Sequence, residues 1–151
     1  MKVGIVGSEG KKFTTLGESR AKEAIAEILR DPKITHVVSG ACHLGGIDIW
    51  AEEIGDILGL EKSIFPPREL NWSNGFKPRN LQIAKTSDII YCLTVDSLPP
   101  DYKGMRFESC YHCLKSLNGY KLPHIKSGGC WTVLQGIKMG KEGRWIVISN
   151  V

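Results

Sequence analysis

Lys2-Val3-Gly4-Ile5-Val6-Gly7-Ser8-Glu9-Gly10 is the stretch that decides the fold: a short apolar, β-prone run that ends in a glycine-rich turn. A continuous apolar run bounded by glycines reads as a strand buried on both faces, which belongs in a parallel sheet rather than at a solvated surface. A helix follows: Thr15-x-x-Glu18 has capping-box form, and Ala21, Ala24, Ile25, Ile28 and Leu29 recur at helical spacing up to Asp31-Pro32. Thr35 to Ser39 reads as a second strand broken by Gly40, and Gly45-Gly46 lead into a helix with Ile47, Trp50, Ala51, Ile54 and Leu58 on one face and Gly59 at its end. Ser63-Ile64-Phe65 is a third strand, stopped by Pro66-Pro67. A polar loop with Trp72 and Gly75 runs to Pro78, a good first-turn residue for a helix through Thr86. Asp88 to Thr94 is a fourth strand. After an irregular stretch, Cys130 to Met139 forms a last helix and Arg144 to Ile148 a last strand. Strands alternating with helices imply right-handed crossovers and a mainly parallel sheet covered on both faces, a three-layer α/β domain.

The 151 residues make one domain's worth of chain, and 42% apolar against 24% charged residues places it well away from disordered composition. No run reaches the ~20 apolar residues of a membrane span, and the apolar run at the N-terminus is too short for a signal peptide, so a cytoplasmic protein without membrane partners is expected. Residues 1–101 carry 12 Lys/Arg against 14 Asp/Glu, whereas residues 102–151 carry 8 against 2. The positive field of the C-terminal third suits an anionic partner, small or polymeric; a solvated basic face is the alternative.

In a parallel sheet, ligands bind beyond the carboxyl ends of the strands, where glycines admit the backbone and helix N-termini offer free N–H groups to anions. Four turns fall there: Gly7-Ser8-Glu9-Gly10, Ser39-Gly40-Ala41 through Gly45-Gly46-Ile47-Asp48, Pro78-Arg79-Asn80, and Ser127-Gly128-Gly129 with Trp131-Thr132. One such turn is usually only a turn; four in one topology are a stronger signal.

These motifs, with Ala51-Glu52, Phe65-Pro66-Pro67, Ile83-Ala84 and Asp88 between them, resemble in type and order those of the SLOG superfamily over most of the chain. That group includes LOG-type nucleotide phosphoribohydrolases, DprA-like DNA-processing proteins and small YspA-like members, and this sequence looks most like the last. The resemblance implies a single Rossmann-like domain over residues 1–151 that binds a nucleotide or nucleotide-derived ligand. By that resemblance Gly7 and Ser8 approach the ligand from the first turn and Gly40 from the second, Arg79 meets a phosphate, Asn80 fixes the neighbouring backbone or sugar, and Ser127, Gly128, Gly129 and Thr132 form an anion cradle. A homo-oligomer is the expected assembly. The roles fit the chemistry, since arginine is a permanent planar donor matched to phosphate.

One departure bears on activity. LOG-type hydrolases carry a catalytic Glu at the end of a P-G-G-x-G-T-x-x-E motif, and the matching run here, Ser127 to Gln135, ends in Gln135. An amide cannot ionise, so phosphoribohydrolase chemistry by that route is not expected. Asp48 or Glu52 offers a carboxylate near the second turn, although each reads more simply as an acid favouring a helix N-terminus.

Five cysteines without a secretory signal do not make a disulfide framework. Cys42 and Cys92 have apolar neighbours and read as small core residues. Cys110-x-x-Cys113, followed by His124 and Cys130, is different: two thiolates on a tight turn reach one tetrahedral ion, and a distant His and Cys close the shell. A structural zinc within an irregular insertion over 97–130 is the expectation, with a redox Cys pair as its alternative; His112, between the two cysteines, is the competing imidazole. Three functions remain in view: a nucleotide-binding domain with structural zinc, a nucleotide-processing hydrolase, and a DprA-like binder of single-stranded nucleic acid. The last has the basic C-terminal third but no aromatic platform interleaved with basic residues; Trp72 and Trp131 suit a core or pocket wall better.

Overall fold

A computed structural model of the chain describes residues 1–106, Cys110, Cys113 and residues 123–151. Five strands, β1 (Lys2–Gly7), β2 (His36–Ser39), β3 (Glu61–Ile64), β4 (Ile89–Val95) and β5 (Glu142–Ile148), form one sheet in the order β3-β2-β1-β4-β5. Every neighbouring pair is parallel. The chain therefore steps outward from β1 to one edge, returns to the other side of β1 through β4, and leaves a switch point at the carboxyl ends of β1, β2 and β4.

Side-chain alternation along the inner strands makes the three layers. Val3 and Ile5 of β1 and Leu93 and Val95 of β4 pack against α1 (Thr15–Leu29) and α2 (Ile47–Ile57). Val6, Ile90 and Cys92 face the opposite way, onto α3 (Lys77–Thr86) and α4 (Gly128–Lys138). Both faces of the central strands are thus apolar, as the opening run requires, and an α/β domain with an all-parallel sheet results.

Some boundaries differ from the sequence reading for identifiable reasons. Helix α1 is capped by Thr14 rather than Thr15: the Thr14 hydroxyl accepts from the Gly17 N–H at 3.0 Å, while the Asn150 side-chain oxygen accepts the Thr14 N–H at 3.0 Å and fixes the extended entry. Glu18 pairs with Lys22 at 3.1 Å instead of closing a capping box. Strand β3 begins at Glu61, two residues before the apolar run, because an edge strand pairs through its backbone and leaves charged side chains outside. Trp72–Phe76 form a wide helical turn that runs directly into α3, where a polar loop was expected. Helix α4 starts at Gly128, two residues early, so Cys130 lies in a helix rather than in the irregular insertion.

Residues 97–106 are irregular, and the chain rejoins the sheet where the Ile125 N–H donates to the Val95 carbonyl at 2.9 Å. His112 lies outside the described residues. Asn150 ties the ends together: its amide donates to the carbonyls of Lys12 at 2.8 Å and Ser97 at 2.6 Å, so the segment after β1 and the start of the insertion are held by one buried side chain. Among the described residues no helix is long and apolar enough to cross a membrane.

Candidate functional site

Beyond the carboxyl end of β1 lies a cavity of about 270 Å³ between α3 and α4. Of the residues singled out from sequence, Gly7, Ser8, Arg79, Asn80, Ser127, Gly128, Gly129 and Thr132 all line it. Gly40 does not; its carbonyl accepts a hydrogen bond from the Arg79 guanidinium, and the Arg79 side chain packs where a Gly40 side chain would lie. Gly40 therefore seats Arg79 rather than forming the cavity wall.

The floor depends on how closely α4 approaches the sheet. A Cβ on Gly129 would stand 2.9 Å from the Cys92 sulfur, 3.0 Å from the Gly7 nitrogen and 3.1 Å from Val6, so only glycine admits this contact. Ser127 caps the helix by accepting the Gly129 N–H at 3.0 Å. The positive end of the α4 dipole is thereby brought to the cavity.

Arg79 is the dominant charge. It starts on the first turn of α3, only 9% of its surface is exposed, and its guanidinium lies over the Phe76 ring at 5.6 Å. The nearest acid, Asp48, is 3.9 Å from Nη1, too far for a hydrogen bond, and the buried Arg79 Nε has no partner among the described residues. Asp48 lies beside the second turn: Ser39 Oγ donates to its backbone carbonyl at 3.1 Å, and the nearby N–H groups of Cys42 and Gly40 favour its charged form. Ala41, whose N–H donates to Ser39 Oγ at 3.4 Å, lies in the left-handed region at φ 48°, an uncommon conformation for a residue with a Cβ and one that concentrates at ligand sites. Burial pushes the Asp48 carboxyl up to about 6, against the opposing pull of Arg79.

Three wall residues were not read from sequence as ligand-facing. Lys12 reaches the cavity from the turn after β1, donates to the Lys126 carbonyl at 3.3 Å, and has its ammonium pushed below the usual lysine range by burial. Glu9 adds a carboxylate. Cys42, expected in the core, is instead half-buried in the wall, because the tight turn beside Asp48 carries it out of the apolar layer. Ser8 is knit in by its backbone, its N–H donating to Leu93 at 3.1 Å and its carbonyl accepting from Ile47 at 3.2 Å, while its buried hydroxyl has no partner among the described residues.

Directly behind this wall, Cys110, Cys113, His124 and Cys130 converge, all buried, with their ligand atoms within 4.8 Å of one another. The Cys110 and Cys113 sulfurs are 3.6 Å apart, and the Cys130 sulfur is 3.6 Å from His124 Nε2. Bonds of about 2.3 Å to sulfur and about 2.0 Å to nitrogen give a tetrahedron whose edges are roughly 3.5–3.8 Å, so both separations are those of ligands around one ion and not of a disulfide. The neighbouring Cys110 and Cys113 thiols pull Cys130 below the ordinary thiol range. Its own neighbours, Cys110 and Cys130, push Cys113 above it. The tetrad is suited to a metal ion. Cys92 stays a neutral core thiol, raised by burial.

Fold and site together define an all-parallel α/β domain with a polar cavity at its switch point, lined by Arg79 and Lys12 as well as Glu9 and Asp48, and a buried Cys3His cluster behind it. Comparison with protein-family models, curated proteins and solved structures returns no match.

Asp48 gives a test by pH. Its folded value of about 6 exceeds the ordinary 3.8, so the native state holds the proton more tightly; the stabilisation is full below about pH 4 and is lost as pH rises through 6. The loss amounts to about 3 kcal/mol. Asp48→Asn, which mimics the protonated form, should raise stability in urea denaturation by about 2–3 kcal/mol at pH 8 and by little at pH 4. An equal difference at both values would show that Asp48 does not titrate abnormally.

Proposed function

We propose that this chain is a SLOG-like domain that binds a phosphate-bearing nucleotide or nucleotide-derived ligand in the cavity at the carboxyl edge of the sheet, and that Cys110, Cys113, His124 and Cys130 hold a structural zinc ion. The observation that carries the reading is Arg79. A guanidinium buried in a cavity wall, seated by Gly40 and Phe76 and without a hydrogen-bonded carboxylate, is poised for an anion. The Ser8 hydroxyl, the α4 N-terminus and Lys12 supply further donors around the same space.

Zinc follows from the donor set. Three thiolates and one imidazole are soft to borderline ligands in tetrahedral number, the combination of structural zinc sites, and four protein ligands leave no open position for catalysis. The ion would fix the insertion against the first turn of α4.

A second reading, a nucleotide-processing hydrolase, rests on Asp48, a cavity carboxyl that exchanges its proton near neutral pH. Gln135 is not among the residues lining the cavity and offers no carboxylate.

Two experiments test these proposals. In calorimetric titrations with nucleoside monophosphates, Arg79→Ala should weaken binding by about 1.5–3 kcal/mol, and Arg79→Lys should recover part of the loss. Unchanged binding by Arg79→Ala contradicts the phosphate role. A long single-stranded DNA that outcompetes every mononucleotide with a steep salt dependence would put the nucleic-acid reading in its place. Release of free base that disappears in Asp48→Asn would establish the hydrolase. Elemental analysis should find about one zinc per chain, lost in Cys113→Ser; zinc-free protein from metal-replete growth, or zinc unchanged in that variant, contradicts the metal proposal.

A further inference from the structure

At about 270 Å³ the cavity beneath Arg79 is smaller than the ~300–1,000 Å³ that enclose most organic ligands. It accommodates a phosphate and part of a sugar, so a nucleotide bound there must continue outside it. Two neighbouring cavities adjoin this space. One, of about 510 Å³, shares Arg79 and is walled by Pro66, Arg68, Glu69, Asn74 and Gln82, without an aromatic face. The other, of about 630 Å³, shares Glu9 and is walled by Phe13, Leu44 and Tyr102, with Lys11, Asp101 and Lys103 around them.

Resting on the phosphate reading of the first cavity, we propose that this second cavity is the nucleobase subsite, so that the ligand is a ribonucleoside monophosphate laid across Glu9. Three observations carry the assignment. Tyr102 puts an aromatic ring in the cavity wall, with Leu44, which is 51% exposed, beside it; Phe13, 8% exposed and packed edge-to-face on Trp50 at 5.0 Å, is a core residue that reaches the same wall. Flat bases stack on such surfaces whatever their sequence of polar edges. Tyr102 is also fixed in place: its ring lies against Gly104, and its hydroxyl donates to the Glu9 carboxylate at 2.9 Å. Finally, Glu9 is in the lining of both cavities, and its carboxylate is an acceptor suited to sugar hydroxyls and repulsive to a second phosphate. The order phosphate, ribose, base therefore matches the order Arg79, Glu9, Tyr102.

Tyr102 belongs to the irregular stretch after β4, which gives that stretch a role in choosing the ligand. Its Glu9 bond spans 93 residues of sequence, and the Asn150 contact with Ser97 anchors the same stretch at its start.

The test titrates ribose 5-phosphate and adenosine monophosphate by calorimetry against the full chain and against Tyr102→Ala, Leu44→Asp and Gln82→Ala. The wild type should bind adenosine monophosphate more tightly than ribose 5-phosphate. Tyr102→Ala and Leu44→Asp should each weaken adenosine monophosphate at least about fivefold, the low end of a base-stacking contact, and leave ribose 5-phosphate within about twofold. Equal wild-type affinity for the two compounds overturns the base subsite alone, as does loss on Gln82→Ala with none on Tyr102→Ala, which moves the base to the other cavity. Binding of neither compound overturns the phosphate reading and the subsite with it.

Discussion

The contact on which the site depends is the approach of the first turn of α4 to the end of β1, possible only because Gly129 leaves room for the Cys92 sulfur and the Gly7 backbone. Pressing a helix N-terminus against the carboxyl end of a central parallel strand aligns its dipole with the switch point of the sheet. The same turn carries Cys130, one of the four converging metal-ligand side chains, immediately after the glycine. Cavity floor and metal cluster are two faces of one helical turn. Ser127, which caps that turn by accepting the Gly129 N–H, connects them further.

Charge placement on the opposite wall follows a similar economy. Asp48 lies beside the turn that ends β2, where Ser39 Oγ donates to its carbonyl, and its carboxylate forms an ion pair with Arg79 at 3.9 Å, beyond hydrogen-bond distance. A buried ion pair with full hydrogen bonding would neutralise the wall and close it to ligands. Here the guanidinium is held by a carbonyl and an aromatic ring instead, and its charge faces the cavity.

Much of this was legible in the sequence because the central strands are buried on both faces, so Lys2–Gly7 and Ile89–Val95 stand out as apolar runs closed by turn residues. The tetrad was legible for a chemical reason: thiol and imidazole groups are rare enough that Cys110, Cys113, His124 and Cys130 declare a shared role despite a gap in the chain. What could not be read depends on long-range packing. The Thr14 cap is chosen by Asn150, 136 residues away. Asp48 has the spacing of an ordinary helix-start acid, and nothing local tells that it is 6% exposed. Cys42 has apolar neighbours in sequence but is turned outward by the Ala41 conformation, and the Glu9 to Tyr102 bond has no sequence signature at all. The charged start of β3 escaped because pairing at an edge is made by backbone groups that every residue has.

If the tetrad holds a metal ion and the cavity an anion as proposed, the two sites are coupled through the first turn of α4. The most direct measurement of that coupling compares adenosine monophosphate binding in zinc-loaded protein, in protein stripped by a chelator, and after zinc is restored, with far-UV circular dichroism recorded on each. With that coupling, stripping should weaken binding at least about tenfold while the α/β spectrum persists, and zinc should restore it. Stripped protein that keeps its spectrum and binds the nucleotide as tightly as the loaded form would contradict it.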